Sequence, residues 1–139
     1  MASQVSIADN NKESVQEPDF SIEEHKSVLY IYRDQMVTAS TVPYHCYLND
    51  EFISVLRNGQ YHRHVVAPGQ YDYWVEMISV DSNRIVSRSY QFLDLQAGKI
   101  YFIKNLPNIE TKGMSWEVII EFPDEYVAKE EMRHLSPTK

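Results

Sequence analysis

The residues best suited to do chemistry are two histidines, His62 and His64, separated by a single arginine. On a β-strand, side chains at i and i+2 share one face about 6–7 Å apart. Two imidazoles at that spacing can chelate one divalent ion. A third ligand would have to come from a neighbouring strand, where His45 or Cys46 is the available donor. The same spacing describes two histidines on the solvent face of an edge strand. That is the preferred reading, and no metal or cofactor is expected. Cys46 directly follows His45. Consecutive strand residues point to opposite faces, so the two cannot work as nucleophile and base. Cys46 shares parity with Tyr44 and Leu48 and reads as a small buried hydrophobe.

Two carboxylate pairs invite the same test. Glu117 and Glu121 share one strand face, as do Asp72 and Glu76. Four residues of strand separate each pair by about 13 Å. Two carboxyls that cleave a glycosidic bond stand roughly 5–9.5 Å apart. Both pairs therefore read as solvated face residues. The motifs G-x-S-x-G, G-x-G-x-x-G, G-x-x-x-x-G-K-[ST] and H-E-x-x-H do not occur. No catalytic residue is expected, and the chain reads as a non-enzyme. Trp74 stands apart: it falls on the polar parity between Asp72 and Glu76, while Tyr71, Tyr73, Val75 and Met77 occupy the other. An exposed tryptophan often anchors an interface. Trp74, with Asp72 and Glu76, is the candidate for contact with a protein partner. The alternative is a small-ligand, glycan or metal binder. It would use the histidines, or an aromatic platform of tyrosines with Trp74 and Trp116.

These residues sit on a succession of short β-prone runs. Ser27 to Arg33 is apolar on both faces, the mark of a central strand. Pro43 to Leu48 and Phe52 to Leu56 flank the turn residues Asn49 and Asp50, a hairpin signal. Asn58-Gly59 suggests a type I′ turn before Tyr61 to Val66. Tyr71 to Ile78 alternates, and so does Ser115 to Phe122, with Trp116, Val118, Ile120 and Phe122 facing in. Ile85 to Leu95 changes apolar phase, which suggests a bulge near Phe92. Ile100 to Lys104 is a strand, followed by a loop from Asn105 to Gly113. After Pro123, residues 124–135 read as a helix whose Ala128, Met132 and Leu135 form one apolar face. The expected fold is all-β: a sandwich of about eight antiparallel strands, a short C-terminal helix and a flexible, acidic N-terminal tail over residues 1–26.

The chain has 139 residues, enough for one domain with its own core. Its formal net charge of −7 repels phosphate backbones, so nucleic acid is not an expected partner. A single cysteine excludes an internal disulfide and a cysteine-rich zinc site. No stretch reaches the roughly 18 apolar residues of a membrane span, and residues 1–17 lack the pattern of a signal peptide. Composition alone leaves two locations open: the cytoplasm for a complete chain, or an exported site for a chain whose targeting segment has been removed.

Five segments in fixed order carry a family resemblance. They are Ser27-Val-Leu-Tyr-Ile-Tyr-Arg33, Tyr47-Leu-Asn-Asp-Glu-Phe-Ile53, Leu56-Arg-Asn-Gly-Gln-Tyr61, Ala67-Pro-Gly-Gln-Tyr71 and Leu95-Gln-Ala-Gly-Lys-Ile-Tyr101. Together they resemble the DUF2846 family, itself similar to PEGA-type β-sandwich modules, over residues 27–135. The resemblance implies a small extracytoplasmic domain of the bacterial cell envelope, in the periplasm or at the outer membrane. It implies no catalytic residues, a protein partner in an envelope assembly, and residues 1–26 as a tether to a lipid anchor. No cysteine precedes Cys46, so the acylated residue of such an anchor is not in this sequence.

Overall fold

The structure is a computed structural model describing residues 18–36, 42–79, 84–109 and 116–139. The expected tail up to residue 17 lies outside the described residues. These contain nine strands and one helix: β1 (Ser27–Tyr32), β2 (Tyr44–Leu48), β3 (Glu51–Leu56), β4 (Gln60–Val66), β5 (Gly69–Ile78), β6 (Ile85–Leu95), β7 (Ile100–Ile109), β8 (Trp116–Glu121), α1 (Glu125–Met132) and β9 (Ser136–Pro137). They form a five-stranded sheet in the order β9-β4-β1-β7-β8 and a four-stranded sheet in the order β3-β2-β5-β6.

The sheets pack face to face. Leu29, Ile31, Ile103 and Val118 of one meet Tyr44, Cys46, Tyr73, Val75, Met77 and Leu93 of the other. A buried polar pair crosses this core. The Tyr73 hydroxyl donates to Asn105 Oδ1 at 2.7 Å, and Asn105 Nδ2 donates to the Tyr32 carbonyl at 3.2 Å. A buried amide satisfied on both sides favours one register over its neighbours.

A third layer covers the outer face of the five-stranded sheet. Ala128 and Met132 of the helix, with Leu135 just beyond its end, pack on Val28, Tyr30, Tyr32, Tyr61 and Phe102. Asp124 caps the helix by accepting the Val127 amide at 3.0 Å. Two contacts fix the helix to the sheet: the Tyr32 hydroxyl donates to Glu131 Oε1 at 2.6 Å, and Lys104 Nζ reaches Glu131 Oε2 at 2.9 Å. Phe20 joins this layer, its ring 5.1 Å from that of Tyr30.

The two-sheet β architecture matches the expectation, and β1 is buried along its whole length. Several details differ. Not all pairings are antiparallel: β1 runs parallel to β7, and β9 runs parallel to β4. Both pairs join strands far apart in the chain, where no turn residue signals direction. Strand β7 continues past Lys104 to Ile109 across Pro107. It pairs with β1 only as far as Lys104 and with β8 from there onward. Pro107 thus lies where β7 is paired on one side, and a missing N–H costs no ladder bond. Gly59 takes a positive φ of 73°, but Asn58 does not. The turn at residues 57–60 carries the chain from one sheet to the other and is not a hairpin, so the type I′ geometry is not required. No register shift occurs at Phe92. The phase change in β6 arises because both of its faces carry apolar residues. Phe122 lies beyond the end of β8 and is exposed, and the helix spans eight residues, not twelve.

Candidate interaction surface

The outer face of the four-stranded sheet has no layer over it among the described residues. Pairing registers place Phe52, Tyr47, Trp74 and Tyr90 directly opposite one another across β3, β2, β5 and β6. One aromatic row therefore crosses all four strands. Tyr47 and Trp74 stack with centroids 4.1 Å apart and planes 9° from parallel. Trp74 and Tyr90 stack at 5.6 Å, and Phe52 meets Tyr47 edge-on at 5.6 Å. Phe52, Tyr90 and Phe92 are 51%, 61% and 56% exposed.

Backbone hydrogen bonds hold the centre of this row. Asn49, in the β2–β3 turn, adopts a positive φ of 54°, a conformation that asparagine tolerates better than most residues. Its amide donates to the Asp72 carbonyl at 2.7 Å, and its side-chain oxygen accepts the Asp72 amide at 2.8 Å. The Trp74 indole N–H donates to the Asn49 carbonyl at 2.6 Å. The polar group of Trp74 is thus used internally, and its ring orientation is fixed before any partner arrives.

The three residues expected at a partner contact separate here. Trp74 is half-buried in the centre of the row, and Asp72 is exposed on the same face. Glu76, expected on the solvated face, is buried: it accepts Arg88 Nε at 2.9 Å and the Tyr47 hydroxyl at 3.3 Å. Its role is to hold β5 to β6 and to orient Tyr47. An arginine opposite on β6 is what makes that burial tolerable, and pairing across strands cannot be read from spacing along one. Sequence patterning does not single out Tyr47, Phe52, Tyr90 or Phe92. The available signal is the phase change in β6, which puts Tyr90 and Phe92 opposite in parity to Leu93 and Leu95.

The remaining candidates are dispersed. His62 and His64 lie on β4, paired with Ile31 and Leu29 of β1. They therefore point toward the space between the sheets, at its open rim, and not to the solvent face. His45 lies on β2 of the other sheet, with its ring 6.3 Å from Phe52. Cys46 is fully buried, and desolvation pushes its thiol up to about 12, which makes it inert as a nucleophile or ligand at neutral pH. Among the described residues, no three His, Cys, Asp or Glu side chains converge as a metal site. Glu117 and Glu121 are both exposed, as expected, while the side chain of Trp116 lies outside the described residues. No helix among the described residues is long and apolar enough to cross a membrane.

No curated protein matches this chain. Residues 23–114 match the family model DUF2846, described as a protein of unknown function. The match runs from just before β1 to beyond β7 and takes in the whole aromatic face. This chain belongs to the DUF2846 family.

Proposed function

We propose that this chain is a non-catalytic docking module of the bacterial cell envelope that binds a protein partner through the outer face of its four-stranded sheet. The observation that carries this reading is the uncovered aromatic row Phe52–Tyr47–Trp74–Tyr90. Aromatic residues and arginine are enriched where proteins meet. Here Arg88 stands beside the row, with its guanidinium carbon 5.9 Å from the Trp74 ring centroid. A row anchored by Asn49 and Glu76 loses little side-chain entropy on binding, which favours affinity.

The stacking also weighs against a sugar platform. A sugar packs on an open ring face, whereas Tyr47 and Trp74 cover each other's faces and Tyr90 covers more of Trp74. The non-catalytic reading draws on other side chains. Glu76 and Lys104 are committed to structural ion pairs, and Cys46 is held protonated. The envelope assignment draws on the family resemblance, in which the segment before the domain tethers it to a lipid anchor.

Tyr90→Ser/Phe92→Ser removes the exposed ends of the surface without touching the core. Tyr126→Ser, on the helix at 75% exposure, is the control. In envelope extracts of the native host, the wild type and Tyr126→Ser capture the same protein, and the double variant does not. Equal capture by all three would contradict the assignment.

A further inference from the structure

Among the described histidines, only His62 and His64 stand together. Their ring centroids are 5.9 Å apart and their planes 29° from parallel. Beyond Tyr61, β4 has no strand on its outer side among the described residues, where β9 pairs only with Gln60 and Tyr61. The rim there opens into a cleft of about 540 Å³ between β3 and β4, lined by Phe52, Val55, Arg57, His62, Thr138 and others. The His62 ring is therefore sheltered, yet reachable from solvent by a small ion, and His64 is half-buried next to it.

A second feature makes the pair more than two neighbouring side chains. His62 Nδ1 lies 2.7 Å from Thr138 Oγ1. Thr138 is itself held in place, since its amide donates to the Tyr61 carbonyl at 2.8 Å. In the tautomer with its proton on Nδ1, His62 donates to that oxygen and presents Nε2 as an oriented lone pair, the usual outer-shell arrangement of a metal ligand. Glu51 is the charged neighbour of His64, and a carboxylate there favours a cation.

We propose that His62 and His64 form a two-imidazole site for a divalent transition ion, with His62 oriented by Thr138 and water completing the coordination. Side chains at i and i+2 on one strand face can both reach an ion at metal–nitrogen distances of about 2.0–2.1 Å. Among divalent ions an imidazole pair holds Cu(II) most tightly, ahead of Ni(II) and Zn(II).

Calorimetric titration of the full chain with Cu(II) in a non-coordinating buffer tests this. One ion binds per chain. His62→Gln and His64→Gln each weaken binding by about tenfold or more, and Thr138→Val by about tenfold. His134→Gln, at an exposed position, leaves it unchanged. Zn(II) added to the wild type provides a readout that needs no variant: it shifts the ring proton resonances of His62 and His64 ahead of those of His25, His45 and His134. No saturable binding, equal affinity in the His62 and His64 variants, or Zn(II) shifts centred on another histidine would overturn the proposal.

Discussion

The two outer faces of this sandwich carry much the same kinds of residue and differ in what lies over them. On the five-stranded sheet, Val28, Tyr30, Tyr32, Tyr61 and Phe102 sit under α1 and Phe20, none more than 7% exposed. On the four-stranded sheet, Phe52, Tyr47, Trp74, Tyr90 and Phe92 face outward with no such cover among the described residues. The contrast teaches that aromatic content along a strand does not reveal burial. The deciding factor is whether another element of the chain reaches the face. The helix reaches only one, because Tyr32, Lys104 and Glu131 fix it there. The other face is the one through which the proposed docking would take place.

The largest expected difference between the faces is in stability. Phe102→Ala, beneath the helix layer, costs about 3–5 kcal/mol in urea unfolding, from lost burial and the cavity left behind. A cost under about 1 kcal/mol would mean that the helix does not cover that face in solution.

The next effect depends on pH. Burial raises the pKa of Tyr30, Tyr32 and Tyr61 above the ordinary 10.0, and the Glu131 hydrogen bond and charge raise Tyr32 further. A raised folded-state value contributes stability that is present below pH 10 and lost as pH climbs through and above it. A tenfold difference in proton affinity between the folded and unfolded chain is worth about 1.4 kcal/mol. On the acid side, burial lowers His45, His62 and His64 from 6.5. Their contribution is present above pH 6.5 and is lost as pH falls below it. The urea midpoint plotted against pH should form a plateau between these limits. A midpoint still rising above pH 10 would break the account of the covered face.

A smaller effect tests the fixing contact. Glu131→Gln leaves Lys104 with Asp34 alone, at 3.2 Å, and weakens the acceptor for the Tyr32 hydroxyl. The expected loss is about 1–2 kcal/mol. The Tyr32 pKa then lies closer to its ordinary value, so the alkaline fall in the urea midpoint should become shallower. The smallest effect belongs to the open face. Tyr90→Ser/Phe92→Ser changes stability by about 0.5 kcal/mol or less per site. A loss comparable to that of Phe102→Ala would show that these rings serve the fold and not a partner.

Period-two patterning makes most strands legible. It places Tyr73, Val75 and Met77 inward, helical spacing aligns Ala128 with Met132, Leu135 follows just past the helix, and all six are buried. Patterning cannot supply pairings between distant strands. The parallel β1–β7 pair, the extension of β7 across Pro107 and the burial of Glu76 by Arg88 each depend on a strand that spacing along one segment does not reveal. The same gap hides the aromatic row. Trp74 stands out because it interrupts a polar parity, whereas Tyr47 and Tyr90 become its neighbours only once β2, β5 and β6 are in register. His62 and His64 read as solvent-facing because the alternation along β4 gives two faces without saying which one meets the other sheet.

The open face can be tested most directly by site-specific photo-crosslinking in the native host. A photoreactive residue is placed at Phe92 and, in a separate chain, at Tyr126 on the covering helix. The account predicts a single protein adduct from position 92 and none from position 126. Adducts from 126 but not 92, or from neither, would contradict it.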